Sequence, residues 1–403
     1  MLRSIVLTLV ALLCIISSAL AQAPPIPLPE PEGGAVSFTV KKMDSPEQVF
    51  GGQRGCKLSG FTADGKAMVL FANHVLSGDG KNAIFLVSAA SGNVLDIFNE
   101  VDEAEGGIAY DPRSKMIAYS KKGRSIVLLD MEKKSKRECV KEVTKKKDVK
   151  VLNLIYSQDG SMLFGRLSDG TIHVWEAANG KPVTTFTDPE GFTCYALSPD
   201  NTVLAAGSPD HTVKLWDVKA GKSLPSLEGY GDGESILQVE FSPDGKYLAS
   251  ASQEGPDSGR AMLYSTATWK RERIIVPQPS SVPACYLERI GGIRFAPDSK
   301  LLAAYSRYVS ESGMDKAWII TVWEVKTGAL LTRDTGCCGR KGIPVQCYDG
   351  YSDELSYLVT DLAFSPDARI MVAMLLGDPY EFSVTLRLWR VNAETGPAAP
   401  EAK

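Results

Sequence analysis

Histidine is nearly absent: the 403 residues contain three, His74, His173 and His211. They lie far apart, with no Ser or Cys partner motif nearby, so a nucleophile-and-base triad lacks support. No G-x-S-x-G, P-loop or dinucleotide fingerprint occurs, and neither catalytic residues nor a cofactor is expected. A net charge of −4 lacks the polybasic character of a nucleic-acid binder. No Asn-x-Ser/Thr sequon is present. After the first twenty residues no apolar run is long enough to cross a bilayer.

The first residues are different. Arg3, an apolar run from Ile5 to Ile16 and the small-residue site Ala19-Leu20-Ala21 have the layout of a secretory signal peptide over 1–21. The expectation is therefore an exported protein: periplasmic, cell-envelope or extracellular. Residues 22–34 read as a Pro-rich spacer, and 392–403 as a tail without strand pattern. Export would place seven of the eight cysteines where disulfides persist.

Between spacer and tail the chain repeats itself. The turn SPDN at 198–201 recurs as TADG (62–65), DPRS (111–114), SQDG (157–160), SPDG (242–245), APDS (296–299) and SPDA (365–368). Alternating apolar strands precede and follow each turn, such as VEF then YLASAS. A third strand carries a Trp position, as in HVWE (173–176), KLWD (214–217), TVWE (321–324) and RLWR (387–390). The repeat positions are Asp169, Trp175, Asp210, Trp216, Asp217, Trp323 and Trp389.

These features resemble the WD-repeat family, whose blades are four-stranded antiparallel sheets around a channel. The resemblance implies an all-β propeller of seven blades over 35–391. Only Trp216-Asp217 keeps the literal dipeptide, and the family's Gly-His pair is missing, so the set is divergent. The last copy ends after its third strand, and the alternation in AVSFTVK (35–41) supplies a strand to complete that blade and hide two edges.

The copies are not equally long. From turn aspartate to Trp position the span is 16 residues in copies three and four, against 25 in copy six and 22 in copy seven. With the connections at 276–292 and 333–358, the extra length is expected as loops on one face, over blades five, six, seven and one. Tyr286, Arg307, Tyr308, Asp315, Arg340, Tyr348, Tyr351, Asp353, Tyr380 and Phe382 there have the composition of a protein interface. Cys56, Cys285, Cys337, Cys338 and Cys347 are disulfide candidates that would staple these loops; a Cys-only metal site is not expected.

One charge feature stands apart. Residues 131–150 are Lys-rich. A protected outer edge strand accounts for 131–142, whereas Lys145, Lys146, Lys147 and Lys150 could meet an anionic polymer or a membrane surface. The expected function is a non-enzymatic scaffold presenting the long-loop sector to a protein partner. The alternative is a propeller enzyme with a channel-mouth site, a lactonase-like hydrolase or quinone-dependent dehydrogenase assisted by calcium. Its candidate calcium loops, 77–82 and 349–354, are poor in carboxylates at the required spacing.

Overall fold

Each repeat of strand, turn and strand folds into one antiparallel sheet in the computed structural model. It describes residues 36–39, 56–72, 82–89, 94–98, 101, 104–227, 230–231, 234–253, 260–275, 285–310, 316–338, 358–376 and 384–391. All of these belong to one unit, Ala35–Lys403.

A short strand comes first, β1 (Val36–Thr39). Blade one holds β2 (Cys56–Phe61), β3 (Ala67–Ala72), β4 (Ala83–Ser88) and β5 (Val94–Phe98). Blade two holds β6 (Ala104–Asp111), β7 (Met116–Lys121), β8 (Ser125–Asp130) and β9 (Ser135–Val140). Blade three holds β10 (Val151–Tyr156), β11 (Met162–Leu167), β12 (Ile172–Glu176) and β13 (Pro182–Phe186). Blade four holds β14 (Cys194–Leu197), β15 (Val203–Gly207), β16 (Val213–Asp217) and β17 (Lys222–Leu227). Blade five holds β18 (Ser235–Phe241), β19 (Tyr247–Gln253), β20 (Ala261–Ser265) and β21 (Arg271–Ile275). Blade six holds β22 (Cys285–Phe295), β23 (Leu301–Ser310), β24 (Lys316–Glu324) and β25 (Leu330–Cys338). The last sheet holds β26 (Leu358–Phe364), β27 (Ile370–Leu376) and β28 (Val384–Arg390), in the order β1-β28-β27-β26.

The described strands thus pair as seven four-stranded antiparallel sheets. The first strand of the ring supplies the outer strand of the last sheet, with Val36 opposite Leu388 and Phe38 opposite Leu386. Consecutive blades bury apolar clusters against each other. Phe164, Ile172 and Phe186 of blade three meet Leu204 and Trp216 of blade four. Val372 and Met374 of the last blade meet Leu58, Met68 and Phe85 of the first, so packing closes the circle. The architecture is a β-propeller.

The repeated turns explain the local geometry. In SPDN, Ser198 Oγ donates to Asp200 Oδ1 at 2.5 Å, and Asp200 accepts from the Thr202 backbone N–H at 3.1 Å. Asn201 then takes the left-handed region at φ 61, which asparagine tolerates well. The same Ser-to-Asp bond recurs at Ser157–Asp159, Ser242–Asp244 and Ser365–Asp367.

The expected long loops of blade six are corrected. Its strands run 9 to 11 residues, against 4 to 8 elsewhere, and they are paired over their length. Much of the span from Asp298 to Trp323 is therefore hairpin, and residues 285–292 are strand. Gly291 and Gly292 fall inside the stretch expected as a connection, 276–292. Both pack against the ring of Tyr305, where a Cβ has no room, and register shifts between Leu287/Arg289 and Ile290/Gly292 absorb the irregularity.

Candidate functional site: the face and channel beside blade six

Blade six is lengthened at one end only. Its register continues through Cys285 opposite Ser310, Val309 opposite Lys316, and Lys316 opposite Cys338. These outermost rungs lie on the face that carries the connections between blades. Tyr286, Arg307 and Tyr308 are brought together there on β22 and β23, within strands rather than loops, with Arg289 opposite Arg307 and Leu287 opposite Tyr308. Asp315, Arg340, Tyr348, Tyr351, Asp353, Tyr380 and Phe382 lie outside the described residues.

Beneath this extension a charged belt lines the channel, on the inner strands of the same blades. Arg294 on β22 donates from Nη1 to Glu240 Oε2 on β18 at 2.8 Å and from Nε to the Leu362 carbonyl at 3.2 Å. Its Nη2 reaches Asp361 Oδ1 on β26 at 3.4 Å. Glu240 also accepts from the Phe295 N–H at 2.9 Å. Gln238 both donates to the Ile293 carbonyl and accepts from the Ile293 N–H, at 2.9 and 3.0 Å. Lys57 on β2 extends the belt to blade two, donating to the Ile108 carbonyl at 3.4 Å. Each of these bonds crosses a blade boundary.

The electrostatics follow from burial. The Glu240, Arg294 and Asp361 side chains are 21%, 36% and 14% exposed. Burial pushes both carboxyls up, against the pull of Arg294. Burial likewise pushes the Lys57 ammonium down, opposed by Asp361. Burial alone would lower Arg294, but the two carboxylates raise it, so it holds its charge. A charge set that satisfies itself in this way fixes the relative register of blades; it leaves little charge free for chemistry.

Sequence reading missed this belt, although a signal was present. Glu240 and Arg294 occupy the second-to-last place before the repeated turn, where other copies have Ala196 or Ala363. A charged residue at that repeated place is the departure that marks a channel-facing group.

The expected repeat residues fall on the frame. Trp175, Trp216 and Trp323 are buried between blades. Asp217 Oδ1 accepts from the Ala220 N–H at 2.7 Å, and Asp169 and Asp210 accept from Thr171 and Thr212 within tight turns. Trp389 lies on β28. His173 stacks on Trp175 with ring centroids 5.7 Å apart, and burial lowers its pKa. His211 Nδ1 donates to the Glu234 carbonyl at 2.8 Å. His74 lies outside the described residues, as do both calcium-loop candidates apart from Asn82.

The cysteine staples fare differently. Cys285 and Cys338 lie on opposite edge strands of blade six, separated by β23 and β24, with Cys338 in the row of Tyr286. Three strand spacings amount to about 14 Å, beyond the reach of roughly 7 Å that a disulfide requires between Cα atoms. Cys56 begins β2, Cys337 lies on β25, and Cys347 is outside the described residues. Cys139 and Cys194 are free thiols. Among the described residues, no group of three or more His, Cys, Asp or Glu is placed to hold a metal ion.

Of the lysines set aside for an anionic partner, Lys145, Lys147 and Lys150 are exposed, and Lys146 Nζ pairs with Asp169 at 3.0 Å. They occupy the connection between blades two and three.

The fold is a β-propeller, and its repeats are similar to WD repeats. The family model "WD domain, G-beta repeat" matches residues 180–217 and 221–263, and "Anaphase-promoting complex subunit 4 WD40 domain" matches 108–195. Similar proteins include the "Eukaryotic translation initiation factor 3 subunit I" of Botryotinia fuckeliana, 32% identical over 221 residues, 54% of this chain and 57% of the relative. That of Pyricularia oryzae is 34% identical over 100 residues, 25% of this chain and 28% of the relative. The "Protein LST8 homolog" of Drosophila pseudoobscura pseudoobscura is 28% identical over 163 residues, 39% and 48% of the two chains. The chain thus spans between 28% and 57% of the length of these relatives.

These relatives correct the expected compartment. Translation initiation is an intracellular process, so the reading of an exported protein is overturned. The oxidising environment on which the disulfide staples rested goes with it.

Proposed function

We propose that the protein is a non-enzymatic interaction scaffold, and that it presents the sector over blades five, six, seven and one to a protein partner. The observation that carries this reading is the one-sided lengthening of all four strands of blade six. A long paired hairpin costs backbone ordering that a short turn avoids, and four strands ending together raise a rigid wall above the face. The charged belt below it ties blades five, six and seven to one another, so the wall stands on a stiff base. Rigid presentation lowers the ordering cost of association. Relatives named as subunits of an initiation factor are in keeping with such a role.

The test shortens the wall without touching the frame. Residues 308–317 are replaced by an Asn-Gly turn joining Arg307 to Trp318, which already face each other. The tagged full chain and this variant are purified from native extract, and the co-purifying proteins are identified. A partner kept by the full chain and lost by a variant of unchanged thermal midpoint is expected. Equal retention by both overturns the assignment of the surface.

A further inference from the structure

A second surface lies away from blade six, on the same face over blades two and three. Residues 121–124 and 141–150 hold eight basic side chains against two acidic ones, in a chain whose net charge is −4. The two segments are bonded into one platform. The Val143 N–H donates to the Arg124 carbonyl at 2.9 Å, the Val151 N–H to the Gly123 carbonyl at 2.8 Å, and Arg124 Nη1 to the Lys147 carbonyl at 3.2 Å. On the far side the Ser168 N–H donates to the Lys150 carbonyl at 2.8 Å. Val143 and Val149 are buried in the core between the blades, which pins the connection at both ends. The segment is therefore a fixed shelf, with Lys141, Lys145 and Lys147 exposed along it.

Part of the charge is neutralised internally. Lys146 pairs with Asp169, and Arg124 lies 3.5 Å from Glu142. Lys141, Lys145 and Lys147 are not among those pairs. Protecting a sheet edge does not explain them, because 141–150 forms no strand.

We propose that this shelf is a docking site for a short acidic peptide segment of a protein partner. The chemistry favours carboxylates over a nucleic acid. The shelf offers no aromatic ring on which a base could stack, and its one arginine is engaged with Lys147 and Glu142. A long polyanion would extend past the shelf into the field of a net-acidic chain. A short acidic stretch stays within about one Debye length, roughly 8–10 Å, of the lysines. The site is separate from the blade six wall, so it stands or falls independently of that reading.

The test uses the full chain and fluorescence anisotropy with a labelled, short glutamate-rich peptide, and in parallel an RNA oligonucleotide of matched charge. The double variant Lys145→Glu/Lys147→Glu is expected to bind the peptide at least about tenfold more weakly. A control reversal at exposed Lys219 and Lys222, on the opposite face, is expected to leave binding within about twofold. Circular dichroism checks that both variants keep the fold. Absence of peptide binding at low salt, or equal loss in the two variants, overturns the proposal. Tighter binding of the RNA than of the peptide overturns the assignment of the partner class.

Discussion

Blades three and four differ from blades five to seven in what holds their boundaries. Between three and four the contacts are apolar packing and hydrogen bonds to backbone carbonyls. Trp216 packs edge-on to Phe192 and Phe186, Tyr195 Oη donates to the Phe164 carbonyl at 2.9 Å, and Arg166 donates to the Phe192 carbonyl. Between five, six and seven a guanidinium bridges two carboxylates. The regular blades are also the short ones. Where repeats obey their pattern they form frame, and the departures in strand length and in channel charge fall together in one sector.

The sharpest way to break this contrast is to remove the apolar pin. Trp216→Ala should cost about 3–5 kcal/mol, read as a lower urea midpoint, because a cavity opens between two blades. Arg294→Ala should cost less, about 2–3 kcal/mol, since the partly exposed channel lets water reach the two orphaned carboxylates. If the two losses were equal in size and in salt dependence, the boundaries would not differ in kind. Asp200→Ala, which removes one turn's side-chain bonds to Ser198 and Thr202, should cost about 1 kcal/mol in the same assay.

A smaller effect separates the sectors by pH. Burial alone would raise Asp210, but hydrogen bonds from Lys214, Thr212 and Ser208 outweigh it and hold the carboxyl at about 2. Its folded value lies below its unfolded value, so its contribution is present above the ordinary carboxylate range and fades as pH falls toward 2. Glu240 and Asp361 are pushed up by burial, so their contribution is present below the ordinary range and is lost as pH rises through their raised values. Acidification from pH 5 toward 2 should therefore loosen the turn at Asp210 before the belt, as followed by hydrogen exchange of the two blades.

Much of the frame was legible because turns and tryptophans recur at fixed places. Ser198-Pro199-Asp200-Asn201 announces its own bonding, and the alternation of Val36, Phe38 and Val40 announced the strand that joins the last sheet. Blade six was misread because a long span from turn aspartate to Trp position was taken as loop, whereas it lengthens paired strands, with Gly291 and Gly292 making room for Tyr305. The belt was invisible to a search for catalytic motifs, since its members come from four blades and meet only in the ring. The N-terminal pattern misled about compartment because apolar runs flanked by a basic residue and small residues serve more than one end.

The most direct measurement is a hydrogen-exchange footprint of the full chain with and without its co-purified partner. Protection concentrated on residues 285–290, 306–310 and 316–319 of the blade six wall is the predicted result. Protection centred on blades three and four, with the wall unchanged, would contradict the account.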